Sequence, residues 1–214
     1  MIFNAEMVRA LLDGRKTQTR RPIKWKQTRF TEIGEREDGS KWPWSEDAEH
    51  ACDFWHPCPF GAVGDRIWVR EAFRVHSRAT DVATLVYKAS ERNSWTEQTR
   101  RVPVAVCNKP ATPEKWTPSL HMPRWASRIL LEITDVRVER LNAISEEDAT
   151  AEGVPPAGSL LPDYPGTLLT PKGDFATAKV AFQRLWESIY GEESWKANGW
   201  VWVISFKRVE GGAA

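Results

Sequence analysis

The strongest constraint on the fold is a change of hydrophobic period near the C-terminal end of the sequence. Between residues 175 and 190 apolar side chains recur every three or four positions, which predicts an amphipathic helix ended by Gly191. Between residues 200 and 209 the period falls to two, which predicts a strand. The helical positions are Ala178, Phe182, Leu185, Trp186 and Ile189, and the strand positions are Trp200, Trp202, Ile204 and Phe206. Both patterns in one chain favour the α+β class.

The same two periods divide the rest of the chain. A helix with Asn4 as its N-cap is predicted near the start, and a second helix after Ser145 is predicted to end at Gly153. Strands are predicted within residues 61–73, 83–88, 102–107 and 129–141. Three stretches rich in Pro, Gly or charge read as irregular insertions or long loops: residues 22–59, 89–128 and 154–174.

Composition narrows the functional classes. The 214-residue chain has a formal net charge of +1, so it lacks the overall basic field that long nucleic acids attract. It shows no secretory leader and no apolar stretch of membrane length, so we expect a cytoplasmic protein with no membrane partner. Three cysteines are an odd count, which argues against a disulfide framework.

Charged and hydroxyl-bearing side chains are concentrated in residues 14–21. This segment has the pattern G-x-K-x-x-T-x-R, formed by Gly14, Lys16, Thr19 and Arg21. Gly14 stands where the first helix is expected to stop, because glycine takes a left-handed C′ position without steric cost. An amine, two hydroxyls and three guanidiniums follow this stop. The alternative interpretation of this segment alone is a solvated basic turn.

Two further segments follow in order. Residues 63–69 read as a glycine-aspartate turn leading into a strand, and residues 145–153 read as an acidic helix that ends in Ala-Glu-Gly. Glu152 lies in the last turn of this helix, where the helix dipole opposes a carboxylate. Local rules are most often broken at functional sites. The alternative is an exposed glutamate with no role.

With these motifs in this order, the chain resembles the ASCH (activating signal cointegrator homology) family of the PUA-like superfamily. The resemblance implies a single domain over residues 1–210, with residues 211–214 as a tail. Its fold would be a PUA-like mixed or antiparallel β-barrel with flanking helices, carrying the three insertions named above. Some small bacterial members are amidohydrolases that remove the acyl group of N4-acetylcytidine. By motif position, the resemblance implies Lys16, Thr19 and Glu152 as the catalytic residues.

The substrate would be a small nucleoside, and RNA is a further partner to consider. Stacking and hydrogen bonding to a base could come from Arg21, Glu71, His121, Arg124 and Trp125. The alternative is that Trp125 packs in a core and Arg124 is solvated. Glu71 lies on the apolar face of a predicted strand, so it is either at the strand end in water or buried with a partner. The oligomeric state is left open.

Two mechanisms fit the three catalytic candidates. In one, Lys16 loses its charge through burial or through Arg20 and Arg21, takes a proton from Thr19, and Thr19 attacks the acyl carbonyl. Glu152 then protonates the departing amine and later activates water. In the other, Glu152 activates water directly while Thr19 and Lys16 orient the carbonyl. In a regular strand Lys16 and Thr19 would point to opposite faces, so the first mechanism needs a bend between them.

The main rival to an enzyme is a non-catalytic PUA-like module that binds RNA or a modified base, since other ASCH domains are regarded as RNA-binding modules. The intact set of Lys16, Thr19 and Glu152 and the weak basic balance both favour the enzyme.

We predict no metal and no other cofactor. His50, Cys52, His56 and Cys58 are zinc-ligating residue types, but the spacing H-x-C-x3-H-x-C matches no structural zinc site that we can assign. Hydrolysis is already supplied with a nucleophile, a base and an acid. Metal analysis should therefore find no stoichiometric zinc, and chelators should leave activity unchanged. Stoichiometric zinc together with chelator-sensitive activity would contradict this prediction.

Overall fold

The computed structural model describes residues 1–24, 31–47, 52–91, 93–161, 163–164 and 166–209. These residues form five α-helices and twelve mostly antiparallel strands, which confirms the α+β class. The helices are α1 (Ala5–Leu12), α2 (Trp95–Gln98), α3 (Glu146–Ala151), α4 (Ala178–Tyr190) and α5 (Glu192–Lys196).

Among the described residues, twelve strands follow in chain order. They are β1 (Gln18–Pro22), β2 (Thr31–Glu35), β3 (Lys41–Asp47), β4 (Cys52–Trp55), β5 (Arg66–Trp68), β6 (Phe73–Arg78), β7 (Val82–Tyr87), β8 (Thr99–Pro103), β9 (Leu130–Arg140), β10 (Leu168–Leu169), β11 (Phe175–Ala176) and β12 (Trp200–Val209). None of the described helices is both long enough and apolar enough to cross a membrane.

The described residues group into two compact units, which we treat separately. The first unit contains residues 1–14, 66–132 and 207–209, and the second contains residues 15–65 and 133–206, less the gaps given above. The single-domain boundary at residue 210 stays a prediction. The expected tail at residues 211–214 and the potential zinc ligand His50 lie outside the described residues.

The first unit is built around the three-stranded antiparallel sheet β6-β7-β8. Its apolar face buries Phe73, Leu85 and Tyr87 completely. In the same unit, β5 pairs with the first residues of β9. Helix α1 confirms the predicted cap, because the Asn4 side chain accepts a hydrogen bond from the Met7 amide, and Gly14 has φ +74°.

Two strand boundaries in the first unit differ from the sequence expectation. The strand predicted at residues 102–107 lies instead at Thr99–Pro103, because Pro103 pairs with Val82, the first residue of β7, and residues 104–106 form a turn. The strand predicted within residues 61–73 is divided, since β5 ends at Trp68 and β6 begins at Phe73.

The second unit contains the sheet order β1-β12-β9, with β1 and β12 paired in the register Gln18↔Ser205 to Pro22↔Val201. Helices α3, α4 and α5 belong to the same unit, and their apolar side chains join those of β12 in one buried cluster. The fully or nearly buried members of that cluster include Ile144, Ala149, Phe182, Trp186, Trp195, Val201 and Val203. The predicted helix at residues 175–190 is confirmed from Ala178 onward, and Gly191 ends it with φ +85°.

The expectation that residues 22–59 lack regular structure is wrong. Three strands, β2-β3-β4, form an antiparallel sheet there. Alternation is present in β3, where Trp42 and Trp44 share one face and Pro43 and Ser45 the other, but Pro43 and the many charges conceal it in the sequence. Shorter elements also occupy the other two stretches. Helix α2 and β8 lie within residues 89–128, and β10 lies within residues 154–174 and pairs with β11, which begins at Phe175.

The cap of α3 gives a test of this local structure. The Ser145 hydroxyl accepts a hydrogen bond from the Asp148 amide at 3.1 Å. Replacing Ser145 with Ala should lower the free energy of unfolding by about 1 kcal/mol, because an amide at the helix start loses its partner. Denaturant unfolding measures the change. The same substitution at exposed Ser188 inside α4 is the control and should change stability by less than about 0.5 kcal/mol.

Candidate active site

The two predicted catalytic motifs meet at Lys16 and Glu152, which lie 136 residues apart in the sequence. The Lys16 ammonium group contacts the Glu152 carboxylate oxygen Oε2 at 2.9 Å and the Glu152 backbone carbonyl at 2.8 Å. It also donates to the Gln18 carbonyl at 2.8 Å. Both residues are almost completely buried, with 2% and 3% of their surface exposed. The pair is therefore enclosed in the protein.

Backbone geometry fixes both partners. Glu152 is the C-cap residue of α3, and Gly153 follows it with φ +83°, so the chain turns away immediately after the carboxylate. The Thr17 amide donates to the Ala151 carbonyl at 2.9 Å, which ties the residue after Lys16 to the last residue of α3. The predicted position of Glu152 at the end of the acidic helix is confirmed.

Burial lowers the pKa of Lys16, and the adjacent Glu152 carboxylate opposes that effect. The three acceptors around the Lys16 nitrogen are compatible with a proton on either the Lys16 amine or the Glu152 carboxylate. An ammonium donates to all three acceptors, whereas a neutral amine donates to the two carbonyls and accepts from a protonated carboxyl group. A proton can therefore pass between Lys16 and Glu152 without loss of a hydrogen bond.

Arg20 is the third charged member of this site, and its side chain is fully buried. Its Nη2 donates to Asp148 at 2.8 Å and to Glu139 at 3.1 Å, while its Nη1 donates to the Gln18 side chain at 2.5 Å and lies 3.5 Å from Glu152 Oε1. Arg20 thus links the catalytic candidate Glu152 to two other carboxylates.

A second arginine completes the network. Arg137 on β9 donates to Asp148 at 2.6 Å, to Glu139 at 2.6 Å and to Asp135 at 3.0 Å. The Gln18 amide also donates to Asp148, at 3.1 Å. Burial opposes ionisation of Asp148, but the hydrogen bond and charge of Arg20 outweigh it and lower the pKa of Asp148. Asp148 is therefore held as a carboxylate between two guanidiniums.

Four residues of this network were not predicted from the sequence as site residues: Arg20, Asp148, Arg137 and Glu139. Their spacing carries a signal. Asp148 and Glu152 are four residues apart on one helix and so share a face. Gln18 and Arg20 share one face of β1, and Arg137 and Glu139 share one face of β9. These three pairs of polar or charged residues, each on one face of its helix or strand, indicate one polar cluster.

Thr19 is buried on β1, where it pairs with Ile204. Strand alternation directs its side chain to the face opposite Gln18 and Arg20. In the described part of the chain, the hydrogen bonds that join Lys16 to Glu152 do not include the Thr19 hydroxyl. The structure therefore brings two of the three catalytic candidates, Lys16 and Glu152, into direct contact. It places Thr19 on β1 between Gln18 and Arg20.

Arg21, predicted to bind substrate, lies on β1 opposite Trp202. Its guanidinium donates to the Tyr190 hydroxyl at 3.4 Å.

The remaining substrate-binding candidates belong to the first unit. Glu71 is buried, and of the two alternatives the structure confirms a buried partner: Arg128 contacts its two carboxylate oxygens at 2.8 and 3.0 Å. Burial raises the pKa of Glu71, and Arg128 opposes that effect. The Arg128 guanidinium also donates to Ser90 and lies 4.1 Å from the centroid of the Tyr87 ring. This pair has the contacts of a structural ion pair.

His121, Arg124 and Trp125 lie in two short 3₁₀ turns of the same unit. His121 and Arg124 are exposed, whereas Trp125 is half-buried and packs edge-on against Phe73 with a centroid separation of 6.3 Å. Within the described residues the Trp125 indole nitrogen has no hydrogen-bond partner. The structure thus places Trp125 against the core, as one of the two sequence interpretations expected.

No protein-family model, curated protein or solved structure matches this chain. No group of three or more potential metal ligands occurs among the described residues.

The charge network gives a test with a defined pH dependence. Replacing Asp148 with Asn should lower the free energy of unfolding by about 1–3 kcal/mol at pH 7, because two buried or half-buried guanidiniums lose a charged acceptor. Since the folded-state pKa of Asp148 lies below the ordinary value of 3.8, the wild-type advantage is complete above the unfolded pKa. It should shrink as the pH falls through the folded pKa.

Urea unfolding from pH 7 down to pH 3 measures this difference. Asp135→Asn is the matched control, because its carboxylate is half exposed and contacts Arg137 alone within this network. The control should change stability by less than about 1 kcal/mol. A difference between wild type and Asp148→Asn that persists undiminished at pH 3 would contradict the assignment.

Proposed function

We propose that the protein is an amidohydrolase that removes the acyl group from the 4-amino nitrogen of N4-acylated cytidine, deoxycytidine or a related nucleoside, as its resemblance to ASCH amidohydrolases implies. The observation that supports this proposal is the buried contact between Lys16 and Glu152. A buried ion pair contributes little net stability, because desolvation offsets the attraction. Perturbed charged pairs of this kind are frequent at catalytic sites.

Charge in the network favours a neutral substrate. Three cations, Lys16, Arg20 and Arg137, contact four carboxylates, those of Asp135, Glu139, Asp148 and Glu152. Positive charge in this cluster is thus already matched, and an RNA phosphate would gain no net attraction from it. This balance supports the enzyme over the alternative, a PUA-like module that binds RNA or a modified base.

Of the two mechanisms, direct activation of water is favoured by the side-chain direction of Thr19. Arg20, which approaches Glu152, lies on the opposite face of β1 from Thr19. In this mechanism the Glu152 carboxylate removes a proton from water, and the water oxygen attacks the acyl carbon. The carbonyl oxygen becomes an oxyanion that the Lys16 ammonium stabilises. Protonated Glu152 then returns the proton to the departing 4-amino nitrogen, giving cytidine and a carboxylic acid.

Thr19 forms no ester in this mechanism, and its position on the opposite face of β1 from Arg20 limits its part in orienting the carbonyl. Thr19→Val, which keeps the shape of the side chain, should therefore lower turnover of N4-acetylcytidine by less than about tenfold. Glu152→Gln should lower turnover by about 10²–10⁴-fold, the usual contribution of a general acid or base. Chromatographic detection of cytidine measures both. Exposed Glu147→Gln on the same helix is the control. Loss of all activity in Thr19→Val, together with an acyl ester trapped on Thr19 of the wild-type protein, would establish the ester mechanism instead.

Lys16 separates the enzyme from the RNA-binding module. As a catalytic group it should tolerate neither Ala nor Arg, because Ala lacks the charge and a planar guanidinium cannot reproduce the three donors of an ammonium in this buried position. We expect both variants to lose turnover by about 10²–10⁴-fold. Circular dichroism and thermal unfolding would show that the variants are folded.

If Lys16 instead binds phosphate, Lys16→Arg should retain binding to a short RNA, and Lys16→Ala should weaken it in a salt-dependent manner. Titration of both variants against a short RNA tests this alternative. An active Lys16→Arg enzyme would contradict the assigned role.

A further inference from the structure

One face of the sheet β2-β3-β4 combines tryptophans with acidic residues. Pairing across the sheet places Glu32, Trp44 and Trp55 on one rung, Gly34 and Trp42 on the next, and Glu46 with Asp53 on a third. Because side chains alternate along a strand, these residues share one face. We call it the tryptophan face, defined by Glu32, Gly34, Trp42, Trp44, Glu46, Asp53 and Trp55.

Gly34 gives the aromatic rings room on this face. A β-carbon at Gly34 would lie 2.9 Å from the Trp55 ring and 3.2 Å from the Trp44 β-carbon. The Trp55 ring therefore lies against the bare backbone of Gly34. Trp42 is also fixed, because its indole nitrogen donates to the His56 carbonyl at 2.7 Å and its ring meets Trp202 edge-on at 4.9 Å.

One cation already binds to this face. The Arg36 guanidinium lies 4.0 Å from the centroid of the Trp42 ring and 5.4 Å from that of the Trp55 ring. Both distances are within the range of cation–π attraction. The chain itself thus demonstrates that these rings accept a guanidinium.

The other end of the face carries negative charge. Glu32, Glu46 and Asp53 are all exposed. Glu32 lies on the rung of Trp44 and Trp55, and Glu46 and Asp53 form the next rung. Glu46 and Asp53 are directly opposite each other on neighbouring strands. Like charges in that position destabilise a sheet. A local cost of this kind indicates a role outside folding.

We propose that the tryptophan face is an interaction surface for a basic segment of a partner protein. A guanidinium of the partner stacks on Trp44 as Arg36 stacks on Trp42. Glu46 and Asp53 pair with that guanidinium, and the repulsion between them is relieved on binding. This surface is independent of the hydrolase proposal.

Fluorescence anisotropy of a labelled Gly-Arg-Gly-Arg-Gly peptide at low salt tests the proposal. The matched control peptide carries citrulline, the neutral analogue of arginine, in place of both arginines. We expect the arginine peptide to bind at least about fivefold more tightly, since citrulline lacks both the cation–π and the ionic attraction. Equal binding of the two peptides, or no binding of either, would overturn the proposal.

The protein variants sharpen the test. Glu46→Gln with Asp53→Asn should weaken peptide binding by about fivefold or more, while Tm stays the same or rises because the repulsion is gone. Glu35→Gln, an exposed carboxylate on the opposite face of β2, should leave binding within about twofold. A fall in Tm of the double variant with unchanged binding would show a purely structural role. Preferential, salt-dependent binding of a short single-stranded RNA would overturn the assignment to a basic peptide.

Discussion

Burial of Lys16, Arg20 and Glu152 in one cluster is the interaction on which the arrangement of the second unit depends. Removing each of these charges from water costs several kcal/mol, and only close contacts with oppositely charged or hydrogen-bonding partners offset that cost. The partners come from β1, β9 and the end of α3, so these elements must hold their positions to within a fraction of an ångström. The apolar cluster of α3, α4, α5 and β12 supplies the rigid support, because close-packed side chains resist displacement.

The same cost explains why a catalytic interpretation is stronger than a structural one for this cluster. Apolar residues of similar volume would stabilise the contact between α3 and β1 as well as the ion pairs do. What an apolar core cannot supply is the chemistry of the proposed mechanism, in which a carboxylate takes a proton from water beside an ammonium that stabilises the oxyanion. The three acceptors around the Lys16 nitrogen satisfy both the charged and the neutral pair. The Glu71–Arg128 pair of the first unit lacks this feature, since a guanidinium stays protonated at any workable pH.

Features set by local periodicity could be predicted from the sequence, and features set by distant contacts could not. The helix after Thr177, the caps at Asn4 and Ser145 and the strand of residues 200–209 follow from spacing alone. The pairing of Lys16 with Glu152 was expected only through the family resemblance. Arg20 and Asp148 were missed because each residue singly is typical of a solvated surface, and their significance depends on the packing of β1 against α3.

In the sheet β2-β3-β4, by contrast, the strands themselves were not predicted from the sequence. Pro43 and the charges around Trp42 and Trp44 hid the period of two in the sequence. Tryptophans such as Trp186 and Trp202 fill the core, which is the ordinary use of the residue. Those of the tryptophan face are only half-buried and lie beside three exposed carboxylates. Stability alone favours neither the half-buried tryptophans nor the opposed carboxylates. An indole left half in water loses part of its hydrophobic gain, and opposed carboxylates repel. Both features favour the binding of a cation, because aromatic faces and carboxylates attract the same ligand.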